Sequence, residues 1–298
     1  MKKKPPLTKN KERWAKNRSV VLRGNPLHYN ASLQRKYAMR LKKLIRQMTQ
    51  ETKEQLLKLF KNENSKYFFV KQKENEKMAM DESISSQAKI LLNVLTRKYQ
   101  RLFESKADSI SDKMFNDSLK ISKTNLHQSL KQLSGGLSLK TGVVPKGLED
   151  VSKAIIQENV GLIESIPQKY FDDISGAVYR SITTGNGLAD LVPEINKYAQ
   201  TTERRATNLA LDQTRKAYNS INKQRMINVG VKQFEWLHSA GSIHPRESHI
   251  KIDGHIFSFE NLEQEQAKLG VPEADRGIPG HAVNCRCVMG PVIDFSEQ

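Results

Sequence analysis

The residues best suited to chemistry sit near the C-terminal end of this 298-residue chain. They run Arg246-x-x-His249-x-x-x-Asp253-Gly254, then Pro279-Gly280-His281-x-x-Asn284-Cys285-Arg286-Cys287. His249, His281, Cys285 and Cys287 offer the imidazole nitrogens and thiolates that tetrahedral zinc prefers. Cys-x-Cys can put two sulfurs on one ion, and a small unit poor in apolar residues gains stability from such a staple. These residues predict a structural zinc, although their spacing is not that of a zinc ribbon or finger. A second reading stands beside it: two cysteines on one short strand, facing opposite sides, with the histidines satisfied by hydrogen bonds. Cysteines at i and i+2 would make a strained disulfide, and two cysteines in the whole chain exclude a disulfide scaffold.

Catalysis needs more than reactive types. Cys285 or Cys287 could act as a nucleophile with His249 or His281 as base and Asp253 orienting it. Nothing local puts them on a strand-to-helix turn or opposite an oxyanion hole, so no enzyme is expected and no catalytic residue is assigned. The rival reading is a nuclease or toxin-like module, with His255 and Glu235 as its acid–base pair. Asp253-Gly254 reads more simply as a turn, and Arg246 as an ion-pair partner or hydrogen-bond donor. Gly185-x-Gly187 and Gly135-Gly136 lack the Lys-Ser/Thr and βαβ setting of a phosphate loop.

The elements that must position these groups are mostly helical. From Ser32, Leu33, Tyr37, Leu41, Leu44, Met48, Leu56 and Leu59 recur at helical steps. A polar stretch around 71–81 interrupts. A second stripe holds Ile84, Ala88, Leu91, Leu92, Leu95, Tyr99 and Leu102, and a third holds Phe115, Leu119, Leu126, Leu130 and Leu133. Shorter helices are expected at about 148–165, 167–183 and 187–199, then a longer one at 202–228 stopped by Gly230 as a C′ glycine. After it, 232–238 alternates as a strand. Ile252–Phe257 reads as a hairpin around Asp-Gly, and Cys287-Val288-Met289 as a further short strand. The expected fold is mostly α: an elongated N-terminal helical region followed by a small C-terminal α+β domain. Its segments would be a basic extended arm (1–31), a long-helix region (32–133), a hinge (134–147), a second helical region (148–230) and the α+β domain (231–298).

Charge divides the chain as sharply as structure does. The net charge is +17, and residues 1–75 alone hold 21 Lys+Arg against 5 Asp+Glu. Such asymmetry predicts a polyanionic partner, nucleic acid or an acidic protein surface. The cations assigned to non-specific double-stranded DNA contact are Lys2, Lys3, Lys4, Lys9, Lys11, Arg13, Lys16, Arg18 and Arg23 on the arm. Lys36, Arg40, Lys43 and Arg46 follow on the outer face of the first helix. The bland alternative is a lysine-rich solubilising tail. No 18-residue apolar run exists, which excludes a helical membrane span, and the basic N-terminus lacks the apolar segment of a signal peptide.

The ordered C-terminal motifs resemble the minor head proteins of tailed phages, the family of phage Mu protein F. The residues that carry the resemblance are Thr214-Arg215-Lys216-Ala217-Tyr218-Asn219, Trp236, Arg246-Glu247-Ser248-His249, Asp253-Gly254 and Asn284-Cys285-Arg286-Cys287. Gly185-Asn186-Gly187-Leu188 looks like the region preceding that pattern, and the likeness covers roughly 165–295. Two departures are Ser242-Ile243-His244-Pro245, where many members carry an Asp, and Pro279-Gly280-His281-Ala282-Val283, where His-Pro usually precedes the Asn. The resemblance implies a low-copy virion protein, made in the bacterial host cytoplasm and built into the procapsid beside the portal. Its partners would be the portal protein, scaffold or major capsid protein, and DNA. Its roles would lie in head morphogenesis and in DNA ejection or delivery.

Overall fold

The computed structural model describes residues 21–70 (side chains through 61), 84–133, 147–185, 187–239 and 245–294. Among them the chain is mostly α-helical. Strand β1 (Val21–Arg23) precedes four long helices: α1 (Ala31–Val70), α2 (Ile84–Leu133), α3 (Leu148–Thr184) and α4 (Leu188–Asn228). Then come β2 (Gln233–Leu237), α5 (Glu247–Lys251), β3 (Ile256–Ser258), α6 (Leu262–Lys268), a 3₁₀ turn (Glu273–Asp275) and β4 (Val288–Asp294). The expected class, long helices first and a small α+β end, is the one observed. The basic arm's first 20 residues, the polar stretch at 71–81 and the hinge at 134–146 fall outside the described residues.

The helices are fewer and longer than the sequence suggests. Two stripes read as separate helices run on as α2, because Phe103, Ala107, Ile110 and Met114 keep the three- and four-residue steps and are buried, with no Gly or Pro between. Pro167 does not end α3: Ile163, Ile166, Tyr170, Phe171 and Ile174 are buried along the helix around it, which offsets the missing backbone donor. The break expected near residue 200 is absent, since Thr202 donates its hydroxyl to the Tyr198 carbonyl (2.7 Å) and stays in the helix. The glycine stops do hold. Gly185 and Gly187 take φ of 76° and 56°. Gly230 (φ 83°) ends α4 in a Schellman motif, with Val231 N–H donating to Met226 and Gly230 N–H to Ile227.

Residues pack into two compact units. One comprises residues 36–111 and 157–209. Tyr37, Leu41, Ile45, Met48, Leu56 and Phe60 from α1 are buried in it, as are Leu92, Leu95, Tyr99 and Phe103 from α2, and Tyr170 and Phe171 from α3. Leu44 and Leu59 of the predicted stripe are only half-buried; Ile45 and Phe60 beside them take the core positions. Tyr37 donates its hydroxyl to Asn159 Oδ1 (2.8 Å), pairing two groups that burial would otherwise orphan.

The other unit comprises residues up to 35, 112–156 and 210 onward. Its sheet is antiparallel throughout, in the order β1-β4-β2-β3. β2 alternates as its sequence predicts, turning Phe234 and Trp236 into a core with Leu126, Leu130, Tyr218, Phe257 and Met289. β3 pairs with β2, but not through a two-residue hairpin. Helix α5 and a turn with Gly254 at φ 75° intervene. β4 runs further than expected, to Asp294. The strand missed in the sequence is β1, three residues inside what reads as a basic arm, which adds to the β4 edge.

Gly24, just past β1, marks how tightly this edge closes. A Cβ there would lie 2.6 Å from Ser129 Oγ, 2.7 Å from Pro291 Cγ and 2.9 Å from Leu133 Cδ1. Gly24→Ala is therefore expected to lower unfolding free energy by about 1–3 kcal/mol through overpacking. Urea denaturation checks this; an unchanged midpoint would refute it.

Candidate metal centre

Three residues of the Arg246-Glu247-Ser248-His249 motif converge on one partner that sequence reading misses. Arg246 Nε lies 2.8 Å from Asp275 Oδ1, Ser248 Oγ donates to Asp275 Oδ2 (2.7 Å), and His249 Nε2 lies 3.1 Å from the Asp275 carbonyl. Asp275 sits in the 3₁₀ turn, in no motif, so only the fold reveals it. A carbonyl can only accept, so in the neutral ring the His249 proton resides on Nε2 and Nδ1 presents a lone pair.

That lone pair faces both cysteines. His249 Nδ1 lies 3.6 Å from Cys285 Sγ and 3.7 Å from Cys287 Sγ, and the three ligand atoms fall within 4.8 Å of one another. All three residues are buried and both thiols are free. The opposite-sides reading of the cysteines is corrected here: in extended chain i and i+2 share a face. Both sulfurs turn inward just ahead of β4, and the exposed residue is Arg286 between them. His281 stands elsewhere, exposed, with Nε2 3.1 Å from Ser220 Oγ. Among the described residues the cluster is three ligands, not the four grouped from spacing.

The cysteine turn is held from several sides. Asn284 adopts φ 61°, and its N–H donates to Asp212 Oδ1 (2.6 Å). Arg246 Nη2 donates to the Val283 carbonyl (2.8 Å), and buried Arg215 donates to the Cys285 carbonyl (3.2 Å). Gly280 N–H points at Cys285 Sγ (3.3 Å). Only glycine fits at 280: φ is 84°, and a Cβ would come 2.6 Å from Asn219 Nδ2. Asp253, the catalytic orienter considered from sequence, instead accepts from the His238 N–H (2.7 Å) at the end of β2. Gly254 N–H donates to the Trp236 carbonyl (2.8 Å).

Electrostatics fits a thiolate here. The Cys287 thiol hydrogen-bonds to Cys285 and pulls its pKa down to about 4; burial opposes this, while His249 and the Gly280 N–H add to it. Cys287 keeps its own proton, pushed up by that same bond and by burial. Burial works to lower the His249 pKa, but the Cys285 thiolate outweighs it and the net direction is upward. Burial raises the Asp212 carboxyl, against the opposing Asn284 N–H and Arg215 charge.

A cavity of about 330 Å³ opens beside the cluster, with Arg246, Asn284 and Arg286 on its wall alongside His249, Cys285 and Cys287.

Residues 172–290, which hold every group just described, match the family described as "Phage Mu protein F like protein". The likeness to this family spans less than half of the chain. The family match begins inside α3 and ends inside β4. An uncharacterized protein of Haemophilus influenzae (strain ATCC 51907 / DSM 11121 / KW20 / Rd) is 33% identical over 212 residues, 71% of this chain and 45% of that protein. The uncharacterized protein YqbB of Bacillus subtilis (strain 168) is 25% identical over 126 residues, 41% of each chain. The chain thus spans less than half the length of the curated relatives it matches. No solved structure matches significantly.

The family motif has a physical reading. Thr214, Arg215, Ala217, Tyr218 and Asn219 are all buried, so this turn of α4 is enclosed on nearly every side. Of the predicted DNA-contacting cations, five fall within the described residues. Lys2, Lys3, Lys4, Lys9, Lys11, Arg13, Lys16 and Arg18 lie outside the described residues. Arg23 lies 3.6 Å from Glu235, and Arg46 makes a two-pronged pair with Glu203 (2.9 and 3.0 Å). Lys36 and Lys43 are exposed, and Arg40 is half-buried. No described helix is long and apolar enough to cross a membrane.

Proposed function

We infer that the chain is a minor head protein of a tailed phage. In this reading it is a non-enzymatic virion component that acts in head morphogenesis beside the portal, inside the capsid. The observation that carries it is the family match over 172–290, which coincides with the enclosed α4 turn and the cysteine–histidine cluster. Support for DNA as a partner comes from charge: residues 1–20 hold eight Lys+Arg and one acidic residue. A protein enclosed with packaged DNA lies against dense phosphate, which such an arm would neutralise. DNA contact would serve assembly, or ejection and delivery; portal, scaffold and major capsid protein are the protein partners. Mass spectrometry of purified particles tests the reading: the chain is expected as a low-copy component, and its absence from particles rejects it.

The DNA contact has its own test, and the fold decides its design. Cutting at residue 76 would remove β1 and all of α1, with core residues Tyr37, Leu41 and Met48. The informative truncation removes residues 1–20 only. Each phosphate contact contributes about 0.9 to the slope of log affinity against log salt. Binding to unrelated duplexes is expected to lose several units of that slope in the truncated chain. An undiminished slope would move DNA contact off the arm.

A further inference from the structure

We propose that His249, Cys285 and Cys287 bind one zinc ion through Nδ1 and the two sulfurs, and that its fourth coordination position opens into the adjoining cavity. A tetrahedral ion with Zn–N near 2.0 Å and Zn–S near 2.3 Å holds nitrogen and sulfur about 3.5 Å apart. The His249–cysteine separations are 3.6 and 3.7 Å, so the side chains stand at ligating spacing already. The imidazole is held in the ligating orientation, because Nε2 is occupied by the Asp275 carbonyl, the outer contact that metal-bound histidines typically make. Asp275 is itself anchored by Arg246 and Ser248. The Gly280 N–H directed at Cys285 Sγ satisfies a further lone pair of a thiolate. Two thiolates and one imidazole are soft donors that suit zinc over magnesium or calcium.

Three protein ligands leave a tetrahedral ion one position short, and zinc sites of this kind hold water or an exogenous ligand there. All three ligand residues border the cavity of about 330 Å³, which Arg246 and Arg286 also line. An anionic or thiol ligand entering it would meet the metal beside these two arginines. The site differs from a closed four-ligand staple, because His281 is engaged with Ser220 rather than with the sulfurs.

The test uses the full chain, stripped with a chelator under reducing conditions and titrated with Co²⁺, then Zn²⁺. Expected are one equivalent of cobalt, the visible bands of a tetrahedral ion with thiolate charge transfer, and displacement by zinc. Outer-shell changes cost metal affinity about 10–100-fold. Cys285→Ser, Cys287→Ser and His249→Gln should therefore each weaken uptake by about a hundredfold or more, and His281→Gln should leave it unchanged. Azide or a small thiol should shift the cobalt bands of the wild-type chain. Because a ligand variant can fail to fold, the wild-type spectrum decides first: no cobalt uptake overturns the site. Cobalt bands indifferent to azide and thiol overturn the open position, and metal loss in His281→Gln overturns the three-ligand set.

Discussion

Trp236→Ala is expected to lower unfolding free energy by about 3–5 kcal/mol, a large part of the roughly 5–15 kcal/mol that holds a protein folded. The side chain is 1% exposed on the inward face of β2. It packs edge-on against His249 (centroids 4.9 Å, 69°) and Phe257 (6.4 Å, 79°), so truncation removes a wall from both. Its indole N–H has no partner in hydrogen-bonding geometry, although it favours a charged Cys287. The loss is therefore one of volume and ring contact. Trp236→Phe keeps a ring and discards the orphaned donor, so it should cost less than half as much. Urea denaturation followed by far-ultraviolet circular dichroism measures both. A cost below about 1 kcal/mol for the alanine variant would contradict the packing described for this residue.

Arg215→Ala is expected to cost about 3 kcal/mol, by a different route. Arg215 is 2% exposed and ties α4 to two other stretches of chain. Nη1 donates to the Cys285 carbonyl (3.2 Å), Nη2 to the Tyr29 hydroxyl, and the guanidinium lies 4.5 Å from the Tyr29 ring centre. Removing it leaves those acceptors without a buried donor and leaves Arg246 as the remaining positive charge acting on Asp212. Arg215→Lys should rescue little, because one ammonium cannot reproduce a planar fork that donates twice and stacks. Tyr29→Phe removes only one of these bonds, with an expected cost of about 1 kcal/mol. Denaturant midpoints of the three variants give the order; a lysine variant as stable as wild type would show that the fork geometry is immaterial.

Much of this architecture is legible in residue spacing, and the failures have specific causes. Helical periodicity locates the stripes, and Gly230 locates the end of α4. Periodicity also over-divides the helices, since Pro167 and Thr202 are local breakers whose effect tertiary burial overrides. β1 is invisible because three residues, Val21-Leu22-Arg23, carry too short an alternation to stand out, and their partner strand lies far along the chain. At the site, residue type singles out His249, Cys285 and Cys287, but does not separate them from His281. The distinction lies in which imidazole faces the sulfurs, and that depends on Asp275, an ordinary surface acid by sequence. Arg215 belongs to the family motif, yet its burial and its bond to the cysteine turn follow only from where α4 packs.

Val21–Arg23 hydrogen-bonds to Val292–Asp294, so the first described strand of the chain closes a sheet against the last. On a ribosome, β1 emerges long before its partner strand exists. The sheet can be completed only after Asp294 has left the exit tunnel, and the cysteines just ahead of β4 meet His249 only at that late stage. Loop-closure entropy grows slowly with length, so the final pairing remains thermodynamically accessible, but a contact of such sequence separation forms late. Until then the β1 segment stays unpaired. A chain stopped short of β4 would leave β1 and β2 without the strand that lies between them.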